Sequence, residues 1–172
     1  MVQQTPWFER KFNLDFPVGL LPVFLERLRG TEPHIRAMLK DAPEALLINK
    51  PNNDWSIKEH VGHLYDLESL WYGRVDDYLA GVPTLRAADL RNTKTHEANH
   101  NLKSLEELLI LFAHARNALV LRAEEITEED AARVATHPRL NQPMRLVDTL
   151  FFVAEHDDHH LTKIRELLRN RQ

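Results

Sequence analysis

Apolar residues recur along this chain at intervals of three and four rather than two, in runs set off by capping residues, glycine and proline. In the last run Leu146, Thr149, Val153, His156, His160, Ile164 and Leu167 share one side of a helix predicted from about Arg145 to Arg169, so a core-facing stripe carries two imidazoles one turn apart. An earlier stripe of the same period is Ile57, Val61, Leu64, Leu67, Trp71, Val75 and Leu79. Ser56 and Glu59 have capping-box spacing at its start, and Gly81 and Pro83 stop it. Ser104 with Glu107 opens a third helix in the same way, and its stripe of Leu105, Leu108, Leu109, Phe112, Leu119 and Val120 extends to about Ile126. Nearer the start, Leu20 to Arg29 predicts a short helical segment ended by Gly30, and Thr31-Glu32-Pro33 restarts a turn to about Asp41; the two are also readable as one interrupted helix.

Between these runs lie connections. Residues 1–17 read as an irregular segment whose Trp7, Phe8, Phe12 and Phe16 pack back on the body. Residues 82–103 form a long polar connection, too long for a tight hairpin, so the helices it joins need not be antiparallel neighbours. Thr127-Glu128-Glu129-Asp130 caps a brief helical turn, and residues 136–144, with Pro138 and Pro143, read as a loop. No alternating pattern of useful length and no internal repeat is present. The expected fold is all-α, a four-helix bundle with one long crossover connection, built as a single domain over residues 1–172.

Composition narrows the chemistry. A chain of 172 residues without a linker-like stretch suits one domain with a substantial core, and a net charge of −4 with the signs interspersed argues against a nucleic-acid partner. Cysteine is absent, which removes disulfides, thiolate ligands and a cysteine nucleophile together, so any metal must be held by His, Asp or Glu. The first residues lack the apolar core of a signal peptide and no run approaches a membrane span, so a cytoplasmic, soluble protein is the expectation. With 5 glycines and neither a phosphate-binding glycine loop nor a Gly-x-Ser-x-Gly elbow, nucleotide and serine-hydrolase chemistries have no foothold.

Buried imidazoles need partners, and His156 and His160 at i and i+4 offer either two hydrogen-bonded core histidines or two ligands of one ion. A third ligand would come from the second helix, where His60 falls within the apolar stripe and His63 lies near its edge; spacing favours His60 and leaves both open. His96-Glu97-Ala98-Asn99-His100 spells the zinc-protease H-E-x-x-H, but its polar flanks read as a loop rather than the helix that motif requires. His34, His114 and His137 have no spaced partner and read as structural or exposed.

Three stretches together resemble the DinB/YfiT-like family: Asp54-Trp55-Ser56-Ile57-Lys58-Glu59-His60-Val61-Gly62-His63-Leu64, then Ser104-Leu105-Glu106-Glu107-Leu108-Leu109 with Arg116 behind it, and Ala154-Glu155-His156-Asp157-Asp158-His159-His160-Leu161-Thr162-Lys163-Ile164. The resemblance implies a four-helix bundle, often a homodimer, holding a divalent transition metal (zinc, nickel, iron or manganese) through one histidine of the second helix and both of the last. Carried onto this chain the ligands are His63, His156 and His160, His63 replacing the periodically favoured His60. Lys163 departs from the glutamine common at that place. Three neutral imidazoles leave the ion its full charge and an open position for water, a substrate oxygen or a thiolate. Similar proteins include thiol-dependent transferases and isomerases and metal-dependent hydrolases, so the implied partner is a small-molecule substrate, with a low-molecular-weight thiol as co-substrate in the transferase case. Glu155, Asp157 and His159 stand beside the ligands as orienters or a general base, although Glu155 and Asp157 also read as solvated charges on the far face. The alternative reading is a stress-associated metal-binding or interaction protein without turnover.

Overall fold

A computed structural model describes residues 2–169, and in it four long helices carry the stripes read above: α1 Leu21–Leu39, α2 Ile57–Leu79, α3 Leu105–Glu124 and α4 Leu146–Arg169. Helices α1 and α2 each pack mainly against α3 and α4, so consecutive α1 and α2 stand diagonally across the bundle. Ser56 closes a full capping box on α2, its Oγ accepting from the amide of Glu59 at 3.1 Å while its own amide donates to Glu59 Oε2 at 2.8 Å. On α3 only half of the box forms, Ser104 Oγ accepting from the amide of Glu107. None of the described helices is long and apolar enough to cross a membrane.

The core is two apolar clusters with a polar layer between them. Leu28, Trp71, Val75, Leu119 and Val153 belong to one; Ile35, Leu64, Leu108, Phe112, Leu161 and Ile164 to the other. Each bundle helix places one polar side chain at the junction: Thr31, Glu68, Arg116 and Asp157. Arg116 Nη2 donates to Glu68 Oε1 at 2.6 Å and to Asp157 Oδ1 at 3.1 Å, its Nη1 donates to Asp157 Oδ2, and Thr31 Oγ1 donates to Asp157 Oδ2 at 2.7 Å. Two carboxylates thus share one guanidinium away from water. Burial pushes the Glu68 carboxyl above its ordinary range against the pull of Arg116, while the two carboxylates outweigh burial and hold Arg116 charged.

The structure corrects the sequence reading at the expected α1 break, at the loop over residues 136–144 and at Phe8. Gly30 and Pro33 do not interrupt α1, which runs continuously through both. Phe24, Leu25, Leu28, Thr31, Ile35 and Leu39 form one buried stripe across the expected break, and this packing outweighs the roughly 3 kcal/mol a mid-helix proline costs. Residues 134–145 are a short antiparallel hairpin, β1 Val134–His137 and β2 Gln142–Arg145, closed by a turn in which Asn141 adopts a left-handed conformation (φ 49°). Helices α2 and α3 pack extensively on each other despite the long connection between them. That connection folds back on itself through short helices at Thr93–Glu97 and His100–Leu102, and bonds to the hairpin where the Leu85 amide donates to the Thr136 carbonyl at 3.1 Å. The N-terminal segment returns to the bundle as expected, with Trp7 and Phe12 on Phe152 and Phe16 on Phe24 and Phe151, but Phe8 is 63% exposed.

Candidate metal centre

Where α2 faces α4, the 3-4 repeat that builds the two core clusters delivers histidines instead of aliphatic side chains. His63 from α2 and His156 and His160 from α4 are all buried, each offering one ring nitrogen within 4.8 Å of the other two. His156 Nε2 and His160 Nε2 are 3.2 Å apart. That separation is close to the spacing of adjacent donors on one ion with ligand bonds of about 2.1 Å. Burial pushes His63 down to about 3 and drives His156 and His160 well below the imidazole range, so all three rings are neutral with lone pairs available at physiological pH. The donor set therefore fits a divalent transition ion, three borderline nitrogen donors with no protein charge among them.

Neighbouring residues set the orientation of two of these rings. Thr95 gives its hydroxyl proton to Asp66 Oδ2 at 2.9 Å, so its oxygen accepts from His63 Nδ1 at 3.1 Å, which leaves the His63 Nε2 lone pair free. Asp66 also receives His100 Nε2 at 2.8 Å; burial alone would raise this carboxyl, but the bonds from His100 and Thr95 hold it below its ordinary range. Gly62 admits the arrangement, because a Cβ there would fall inside the His100 ring. On the other side, His60 Nδ1 lies 2.9 Å from His160 Nδ1, so with His160 Nε2 facing the cluster its Nδ1–H donates to His60. His60, which spacing favoured, thus stands behind His160 rather than beside the three.

The cluster opens into a cavity of about 300 Å³, at the small end of ligand sites, with walls that include Trp7, Trp55, Trp71 and Phe152. Of the acid–base candidates beside the α4 histidines, only His159 lines it; burial brings this ring down to about 4. Asp157 and Glu155 do not reach the cavity, and neither is a solvated far-face charge. Asp157 belongs to the buried layer with Arg116, and Glu155 is paired with Arg10 and Arg27. His96 and His100 do not join the three-ring cluster; the segment read as a loop is a short helix followed by a turn, with His96 against Trp55 and His100 on Asp66. His34 and His114 are exposed, whereas His137 is buried and accepts from Arg74 Nη1 at 3.1 Å.

Sequence reasoning missed Thr95, Asp66, His100, Arg74 and Arg139 as parts of this region. Asp66 carried a signal, sitting three residues after His63 on the same side of α2, and His100 had appeared only within the dismissed protease motif. Arg139 arrives on the unanticipated hairpin turn, and Thr95 and His100 come from the refolded connection.

Residues 27–164 match a family model described as the DinB superfamily. Among solved structures, the fold is similar to YfiT from Bacillus subtilis, described as a probable metal-dependent hydrolase with an unusual four-helix bundle topology: TM-score 0.80, 19% identity, covering 94% of this chain and 93% of that one. No curated protein matches the chain significantly.

Proposed function

The chain belongs to the DinB superfamily, and on that premise we propose that it is a metal-dependent enzyme acting on a small molecule, with His63, His156 and His160 holding one divalent transition ion. The observation that carries this reading is the convergence of three buried, neutral imidazoles at the wall of an aromatic cavity. When bound, such an ion polarises a carbonyl and makes water or a thiol a usable nucleophile near neutral pH. The chain's own residues supply the rest. Thr95 and Asp66 fix the His63 tautomer, and His60 accepts the outer proton of His160. Trp55 and Trp71 shelter the donors from bulk water, packing against His63 and His156 with ring centroids at 4.6 Å and 5.8 Å. His159, neutral and lining the cavity, is our candidate to accept a proton from a bound nucleophile.

Hydrolysis is the preferred chemistry, and transfer of a low-molecular-weight thiol is its variant, since a soft sulfur donor suits an open position on zinc or nickel. Elemental analysis of protein purified without an affinity tag or chelator is expected to find about one transition ion per chain, lost in His156→Ala with His160→Ala. Full metal content in that double variant would refute the ligand assignment. Ester, amide and thiol-acceptor substrates then test turnover; activity that survives chelation would refute metal dependence and leave a binding protein without metal chemistry.

A further inference from the structure

Two guanidinium groups line the same cavity without a carboxylate partner among the described residues. Arg139 makes no side-chain hydrogen bond there, and its Nη2 is buried without a partner. Its Cζ instead lies over aromatic rings, 5.2 Å from the centroid of Phe8, 5.7 Å from Phe152 and 6.0 Å from Trp7. Arg74, fully buried, spends its donors on neutral acceptors, the Arg86 carbonyl and His137 Nε2. Burial weakens the charged form of both, bringing Arg74 to about 10. The two acids on the cavity rim do not neutralise them: Asp54 and Asp89 are exposed, and their oxygens accept from local backbone amides.

A cation that is partly buried, stacked on rings and left with an enclosed Nη2 lacking an acceptor is arranged for an anion that arrives with the ligand. The planar fork matches a carboxylate, and the ring-lined walls match an apolar body. Position relates the two ends of that ligand. The Trp7 ring is 6.0 Å from Arg139 Cζ and 5.0 Å from the His156 ring, so one indole touches both the guanidinium and the imidazole cluster, and a small molecule lying against it can reach both.

We propose that Arg139, backed by Arg74, seats the carboxylate of an apolar or aromatic small-molecule substrate, holding its reactive group across the Trp7 ring at the His63–His156–His160 cluster. The carboxylate seat deepens the enzyme reading given above and rests on it for what reacts, but not for where the anion binds.

Hydrocinnamate and its neutral amide, hydrocinnamamide, are the probes, with binding followed by calorimetry and by quenching of the cavity tryptophans. The metal-loaded protein is expected to bind the acid about tenfold more tightly than the amide. In Arg139→Gln that preference falls to about one, with metal content and far-ultraviolet circular dichroism unchanged, and Arg139→Lys keeps part of it. Equal binding of acid and amide by the unaltered protein, no detectable binding of either, or a preference that persists in Arg139→Gln would overturn the proposal. The His156→Ala, His160→Ala variant separates it from the metal reading: the preference is expected to survive there, and its loss would assign the carboxylate to the ion and overturn the arginine seat. Should that variant retain its metal, the ligand assignment fails while the Arg139 comparison still decides the seat.

Discussion

Because Thr95 donates its only proton to Asp66, its oxygen accepts from His63, and this one proton position determines which nitrogen His63 turns toward its neighbours. Thr95→Val keeps the volume and removes the acceptor. Metal affinity is expected to fall by about 10-fold to 100-fold in this variant, read by competition with a chromogenic chelator, with the helical circular dichroism unchanged. Unaltered affinity would show that His63 keeps its tautomer without Thr95. Residue by residue, the choice between His60 and His63 was not readable from helical angle, because the first half of α2 is buried nearly all round: Lys58, His60, Val61, Gly62, His63 and Leu64 are all enclosed. An angular stripe discriminates only when one side of a helix faces water. The expectation that Glu155 and Asp157 flank the chemistry failed for a related reason, since sequence neighbours on a helix point about 100° apart and these two meet cations on other elements.

Between elements, the polar layer holds the bundle in register. Thr31, Glu68, Arg116 and Asp157 each come from a different helix, and a shift of any one helix would set a charge against an apolar cluster. Arg116→Met leaves two buried carboxylates without their cation, and urea unfolding is expected to show a loss of about 3–5 kcal/mol. Combining it with Glu68→Leu and Asp157→Leu should restore most of that stability, because apolar packing replaces the whole network. A small effect of Arg116→Met alone would mean that water reaches the layer. Long elements were legible in the sequence because their stripes and caps repeat over many residues, as in α2 and α4. The hairpin was not, since each strand has four residues and Pro143 stands in the second, below any window in which alternation is distinguishable. Arg139 went unnoticed with it.

Across the whole molecule, the buried histidines tie stability to pH and, on the proposed ligand set, to a bound ion. His60, His137 and His159 are lowered to about 4 and His63 to about 3, chiefly by burial, while the unfolded chain titrates near 6.5. Between those values the unfolded chain binds more protons than the folded one, so stability present above about pH 6.5 is lost as pH falls toward the folded values. Each such ring contributes a slope of up to about 1.4 kcal/mol per pH unit. Chelated protein is therefore expected to show a urea midpoint that drops steeply from about pH 7 to pH 5. If the proposed ligands hold an ion, metal in excess at about 100 times its dissociation constant is expected to add about 2.7 kcal/mol at neutral pH, tying α2 to α4 through His63, His156 and His160. The loaded protein should not become insensitive to acid, because His137 lies outside the cluster, held by Arg74, and still excludes its proton. Urea midpoints measured with and without chelator at several pH values test both parts: curves that coincide would rule out a stabilising ion, and a flat chelated curve would mean that the buried rings take up protons without unfolding the bundle.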